Sequence, residues 1–258
     1  MSSRELAPVL PMFWHQARAE FLKLFRVPAF SISSLLVPVV LFTFFGLPHV
    51  HERIEGVNAG TYLLASFGAY SVTIVMLYSF GVSISMERGQ NIDALMRAAP
   101  LRPSVYLLAR VLMVWAFALL ALLVLSGFVV LVGGVRLGVW TWLNVIWRLL
   151  VGSIPFIGLG FAIGYLAGPN SAPAVINLIT LPLVFASGLL LPLTNLPGWV
   201  QKVAPYLPTY RYAQLSWNAV GVKTDPLSIN LLWLVGYSLV FFVVTLRAYR
   251  LEARRKFG

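Results

Sequence analysis

Residues 85–110 read S-M-E-R-G-Q-N-I-D-A-L-M-R-A-A-P-L-R-P-S-V-Y-L-L-A-R. They carry Glu87, Arg88, Asp93, Arg97, Arg102 and Arg110, whereas the runs on either side, near 60–84 and 104–132, are apolar and almost free of charge. A chain that stays apolar for some twenty residues, breaks off for one short charged stretch and then resumes behaves as if water met it only at the break. That is the pattern of successive membrane crossings joined by a loop.

Composition agrees. The 258 residues are 59% hydrophobic and 10% charged, against about 25% charged in soluble domains. The expected fold is an all-α membrane protein with six transmembrane helices, near 28–47, 60–84, 104–132, 149–168, 171–192 and 227–246, each able to cross about 30 Å of hydrocarbon. Residues 1–258 then form a single transmembrane domain with no room for a second soluble one. The net charge of +11 does not indicate nucleic acid, because the basic residues gather at the ends of apolar runs. Cysteine is absent, so neither disulfides nor thiolate chemistry arise. Residues 1–27 contain Glu5, Arg18, Glu20, Lys23 and Arg26 and lack a continuous apolar run, so no cleavable leader is expected there.

Lysine and arginine set the topology. With the N-terminus in the cytoplasm, thirteen basic residues fall inside and six outside (Arg53, Arg136, Arg148, Lys202, Arg211 and Lys223). The expected location is the cell membrane, with both termini cytoplasmic. Residues 12–26 read as an amphipathic helix, with Trp14, Ala17, Phe21, Leu24 and Phe25 on one side and Gln16, Glu20 and Lys23 on another. Too short to span, this N-terminal segment (1–27) is expected to lie in the cytoplasmic interface. Residues 193–226, rich in Trp, Tyr and Pro, predict an external helical hairpin between spans five and six, broken near Pro205 and Pro208 and resting on or dipping into the outer leaflet.

Several function classes are disfavoured. The eight acids all lie in loops, termini or interfacial segments, which argues against a proton- or sodium-coupled carrier. No H-E-x-x-H site, carboxylate pair or phosphate-binding G-x-x-x-x-G-K-[ST] loop is present. His49 and His51, beside Glu52, read as a solvated turn, so no metal and no catalytic residue is expected. Inside the spans the polar groups are mild. Tyr62, Ser66, Tyr70 and Thr73 share one side of span two, and Asn177 and Thr180 stand in span five. They suit either hydrogen bonds between helices or the wall of a substrate path or dimer interface. Pro38, Pro155 and Pro182 lie within spans, where they kink or open a helix.

In the opening stretch, Ile92, Leu95 and Met96 form a small apolar face, Asn91 can cap its start and Pro100 ends it. Glu87, Asp93 and Arg97 surround that face. Such a short cytoplasmic helix suits docking into a groove on another protein. A chain that transports without its own energy source needs such a contact.

M-E-R-G-Q-N-I-D-A-L-M-R-A-A-P-L-R-P-S-V-Y-L-L-A-R-V-L resembles the cytoplasmic segment of the type-2 ATP-binding-cassette exporter permeases, with Glu87, Arg88, Gly89, Asp93, Leu95, Pro100, Arg102 and Arg110 at the matching places. S-G-L-L-L-P-L-T-N-L-P-G-W-V-Q-K-V-A-P-Y-L-P-T-Y, residues 187–210, resembles that family's pattern after span five. The daunorubicin-resistance-like branch is similar in length and shape. One departure is the family's frequent acidic-Leu-x-Arg ending, which reads Gln214-Leu215-Ser216-Trp217 and offers no acid.

The resemblance implies a permease subunit that forms a homodimer or heterodimer in membrane lipid and binds a separate ATPase subunit. It would export an amphipathic drug, lipid or lipid-linked glycan. It implies that residues 85–103 are the coupling segment, with Glu87, Arg88, Gly89, Ile92, Asp93, Leu95, Met96 and Arg97 meeting the ATPase, and that spans two and five approach the dimer axis. No cofactor would be bound by this chain, ATP and Mg belonging to the partner. The alternative is a non-transporting membrane component that assembles or anchors a partner; an intramembrane enzyme ranks third.

The Lys/Arg distribution makes a direct prediction. In this Cys-free chain, Lys202→Cys should react with an impermeant maleimide from outside the cell and Arg250→Cys from inside. Labelling of Lys202→Cys from the cytoplasmic side alone would reverse the topology.

Overall fold

A computed structural model of the chain describes residues 9–26, 28–90 and 103–257. The most buried helix is α3, Ala59–Leu77. It starts where Asn58 leaves helical geometry and its side chain accepts a hydrogen bond from Thr61 N at 3.3 Å, closing one of the orphan amides of a first turn. After Leu77 the chain makes one π-turn, Tyr78–Val82, and continues as α4, Ser83–Gly89. Together these form an apolar rod of 31 residues, Ala59–Gly89.

Other helices pack around this rod. Helix α1, Val9–Phe25, precedes α2, Pro28–Leu41, which widens into a π-turn at Phe42–Gly46. A small hairpin of β1, Arg53–Ile54, and β2, Val57–Asn58, links the first crossing to α3. Helix α5 covers Pro103–Leu131, α6 Val139–Gly152 and α7 Ile154–Leu166. Then come α8, Ala172–Ala186, α9, Gly198–Val203, α10, Pro208–Ala219, and α11, Leu227–Phe257.

Close packing at the centre comes from small residues. Gly160 and Gly164 of α7, spaced as G-x-x-x-G, press on the π-turn of the rod. A Cβ on Gly160 would lie 2.9 Å from Phe80 Cβ, and one on Gly164 would lie 3.0 Å from the carbonyl oxygens of Phe80 and Gly81. Side chains as small as hydrogen let two backbones meet where lipid supplies no hydrophobic drive.

Five helical stretches are long and apolar enough to cross a membrane: Phe30–His49, Ala59–Gly89, Ser104–Leu131, Val139–Leu166 and Leu227–Glu252. Two expectations shift. The fourth crossing begins at Val139, not near 149, because Arg148 has protein partners. Its Nη1 donates to Asn218 Oδ1 at 2.6 Å and to Leu215 O at 3.4 Å. The crossing is jointed at Ser153, where Pro155, lacking an N–H, can stand only in the first turn of a new helix. In the fifth region, α8 has 15 residues, about 22 Å, and stops short of full spanning length. Gly188, with φ +78°, turns the chain just after it.

The 193–226 segment does contain two short helices, α9 and α10, separated near Pro205 and Pro208. Its second helix is buried in the protein. Thr209, Arg211, Tyr212, Ala213, Gln214, Leu215, Ser216 and Trp217 are buried, and α10 packs on α3, α6 and α11. Its polar groups find partners inside the protein, which is what permits their burial. Tyr212 donates to Leu149 O at 2.8 Å and Thr209 to Leu183 O at 3.0 Å. Burial pushes the Tyr212 hydroxyl well above the usual tyrosine range, so it stays a donor. Trp199 and Tyr206 alone of the expected belt aromatics in this segment are strongly exposed.

Arg211 fastens this segment to α11. Its guanidinium donates to Asp225 Oδ2 at 2.6 Å, Asn230 Oδ1 at 3.1 Å and Pro205 O at 2.7 Å, and lies 5.4 Å from the Trp233 ring centre. Arg211→Ala removes all four contacts at once. Asp225 is half exposed and can rehydrate, so the expected loss is about 1–3 kcal/mol of stability, read as earlier thermal unfolding in detergent. Arg211→Lys should recover only part of it, because the fork geometry is lost.

Candidate functional site

Residues 91–102, which hold the sequence-predicted Ile92, Asp93, Leu95, Met96 and Arg97, lie outside the described residues. The base of that segment is described. It is the last turn of α4, and two adjacent charged residues there reach in different directions.

Glu87 reaches toward α1 and α5. One carboxylate oxygen accepts from Arg110 Nη1 at 2.8 Å, and the second accepts from the same nitrogen at 3.1 Å and from Lys23 Nζ. Tyr106 donates to Glu87 at 3.4 Å and accepts from Arg110. Arg110 is only 2% exposed. Its Nη2 continues to the carbonyl of Ser79, in the π-turn, at 3.1 Å, and its guanidinium lies 5.7 Å from the Phe80 ring centre. Glu20, also buried, bonds Gln16 and adds a second negative charge near Arg110. Glu20, Arg110 and the nearly buried Glu87 thus lie together, where each would be costly alone, and the more exposed Lys23 closes the group at its edge.

Arg88 reaches toward α7 and α11. Its Nε donates to Glu252 at 2.6–2.7 Å, and its Nη1 donates to the carbonyls of Gly164 and Ala167 at the end of α7. Cations are the natural ligands of helix C-terminal carbonyls. The Tyr165 ring lies 5.5 Å away, and Ser85 adds a bond to Ala167 O at 3.2 Å. The third predicted residue of this turn, Gly89, abuts Pro169, which a Cβ would approach to 2.4 Å.

The same cluster orients α1. Its polar side turns to the protein: Glu20 is buried and Lys23 reaches Glu87 of α4. Of its apolar side, Ala17 is buried, whereas Trp14 and Phe25 are 71% and 46% exposed.

The polar stripe of span two divides by height along the rod. Tyr62 stacks on Trp217 with ring centres 5.3 Å apart, and Ser66 accepts from Trp217 Nε1 at 2.8 Å. Both are fully occupied by α10. Thr73 is buried and bonds its own helix at Ala69 O. Tyr70 lines a cleft of about 380 Å³ together with Ser33, Ser34, Ser71, Tyr78 and Asn177. There Tyr78 donates to Asn177 Oδ1 at 2.9 Å. Phe30, Val37, Pro38, Ile74 and Val82 supply its apolar wall, and no charged side chain lines it. The buried Ser71 Oγ of this lining, like Thr180 Oγ1 of α8, has no hydrogen-bond partner among the described residues. The structure therefore joins Tyr70 with Asn177 and sets Tyr62, Ser66, Thr73 and Thr180 apart from them. No group of three or more metal-binding side chains occurs among the described residues.

Lys23, Tyr106, Arg110 and Glu252 belong to the site but were not assigned to it as a unit by sequence. The available signal was scarcity: with eight acids against nineteen bases, an acid at a span end is committed to a nearby cation.

A family model described as ABC-2 family transporter protein matches residues 49–247. YvfS of Bacillus subtilis (strain 168), provisionally named a transport permease, is 25% identical over 231 residues, 89% of this chain and 94% of that protein.

The cluster predicts an order of mutational effects. Glu87→Gln leaves buried Arg110 without a counter-charge at contact distance and should cost about 3–5 kcal/mol, whereas Lys23→Gln, at the more exposed partner, should cost about 1 kcal/mol or less. Glu87→Gln combined with Arg110→Gln should cost clearly less than the sum of the two single changes. Thermal unfolding of the purified variants in lipid-containing detergent reads all three.

Proposed function

The chain belongs to the ABC-2 family of transporter proteins, and from that premise we propose that it is an export permease driven through residues 85–103 by a separate ATPase subunit. Membership makes it the multi-pass membrane subunit of an ABC transporter and gives it no catalytic role of its own. The finer reading is that α8 and the turn after it complete a sixth crossing, that both termini are cytoplasmic, and that two permease chains meet near spans two and five. ATP and Mg act on the partner.

The observation that carries this reading is the anchoring at Glu87 and Arg88. Those two residues, at the foot of the proposed coupling segment, bind α1, α5, α7 and α11. A push delivered to residues 91–102 would be shared by four helices instead of bending one loop. Ile92, Leu95 and Met96 would provide the apolar contact, at about 1.5–3 kcal/mol each before ordering costs, with Asp93 and Arg97 setting register.

The cleft supports an amphipathic cargo. Its wall is apolar with hydroxyl and amide groups and without a charged lining side chain. Such a wall can hold a molecule through several weak contacts and release it, where a buried charge would bind too tightly or exclude it. Its place beside the π-turn, on the same rod as Glu87, allows motion at the foot to reach it.

Leu95→Asp tests the coupling assignment. In the complex reconstituted with its ATPase, insertion and permease association should be normal, while ATPase binding and export fall by at least about tenfold, as an unpaired charge in an apolar contact costs more than 1.4 kcal/mol. Wild-type transport by Leu95→Asp would remove the segment from the mechanism.

A further inference from the structure

Helix α1 has two faces of different chemistry. The inner face carries Gln16, Ala17, Glu20 and Lys23 and is committed to α5 and α4. The outer face presents Trp14, Arg18, Leu22, Phe25 and Arg26, all exposed. These positions follow i, i+4, i+8, i+11 and i+12 spacing, so they form one ridge. The ridge has no acid, and neither arginine is in an ion pair among the described residues.

A helix surrounded by water would not turn its carboxylate inward and leave a Trp, a Leu and a Phe outside. A helix at a bilayer surface would, because aromatic and aliphatic side chains favour the headgroup and upper acyl zone. Two features fix α1 at that level. Its last residue, Phe25, is five residues before the start of the crossing Phe30–His49. Its inner face packs on α5, and Lys23 shares Glu87 with Tyr106 and Arg110, in the first turns of the crossing Ser104–Leu131.

We propose that the outer ridge of α1 is a binding surface for anionic phospholipid, with Arg18 and Arg26 holding the phosphate headgroups and Trp14, Leu22 and Phe25 seated among the upper acyl chains. Leu22 lies one turn from each arginine, so a lipid against it is within reach of both. A zwitterionic lipid satisfies the apolar part of this ridge equally well; the two guanidinium groups, in no ion pair among the described residues, are what favour a net negative headgroup, through bidentate phosphate contacts and the surface field. The assignment rests on the arrangement of α1 and is independent of the transport reading.

The test uses the absence of cysteine. The full-length Leu22→Cys chain, labelled with bimane, is reconstituted into phosphatidylcholine vesicles containing phosphatidylglycerol, with bromine on the acyl chains of one lipid or the other. Brominated phosphatidylglycerol should quench at least about twofold more per mole than brominated phosphatidylcholine. Adding Arg18→Gln and Arg26→Gln should equalise the two, while Arg18→Lys with Arg26→Lys should keep most of the preference. Equal quenching in the Leu22→Cys chain overturns headgroup selection. Quenching by aqueous iodide and by neither lipid overturns membrane contact. A preference that survives the two Gln changes overturns the assignment to these arginines. Elution of each variant as a single peak of unchanged volume confirms that the fold is intact in the comparison.

Discussion

The ion pair between Glu87 and Arg110 is the constraint on which this end of the protein depends. Arg110 stands two turns into a long apolar helix and is almost completely buried. A guanidinium in that position is tolerable only with a counter-charge at contact distance, since the alternative is a charge stripped of water. Once Glu87 supplies it, α4 and α5 are fixed side by side. Lys23 then finds a carboxylate already in place, and α1 turns its polar side to the protein. Arg88, the next residue, points away from this pocket and collects α7 and α11. One turn of helix thus organises four neighbours because its two consecutive side chains have opposite charge.

The other end solves the same problem with different parts. Arg211 and Arg148 reach through the buried α10 to carbonyls, amides and Asp225, so a segment rich in polar side chains is held within the protein. Between the two arginine-bound ends the rod is gripped by small residues, Gly160 and Gly164 against its π-turn. The cleft opens on the opposite side of that turn, lined from α2, the rod and α8. Rigid attachments at the ends with a shallow glycine contact in the middle leave the cleft as the place where helices can most easily separate.

Most of the architecture was legible because apolar runs report membrane crossings directly. The crossings at 104–131 and 227–252 and the breaks near Pro205 and Pro208 follow from composition and proline chemistry. What was not legible depended on partners far away in sequence. The start of the fourth crossing was hidden because Arg148 resembles a loop residue until Asn218, seventy positions later, is placed beside it. The orientation of α1 was not legible because amphipathic patterning separates a polar side from an apolar one without saying which the protein covers, and at a membrane boundary a polar face can be the packed one. Tyr62, Ser66 and Tyr70 share a face of one helix and could not be separated by periodicity. Their neighbours differ with height, since Trp217 covers the first two and the cleft adjoins the third.

The π-turn at Tyr78–Val82 sets the mechanics of the rod. It lies on the rod between the cleft residues Tyr70 and Ser71 and the charged foot at Glu87 and Arg88. A π-turn stores one surplus residue in the helix. Passing that surplus along the chain turns only the residues between its old and new positions, by about 100° and about 1.5 Å, while breaking few hydrogen bonds at a time. A plain α-helix fixes the angular setting of every residue along it like a solid shaft. This rod contains a slip joint, where a few side chains can change neighbours while both ends stay in place, and Arg110, bonded to the Ser79 carbonyl inside the joint, is the pin that holds its present setting.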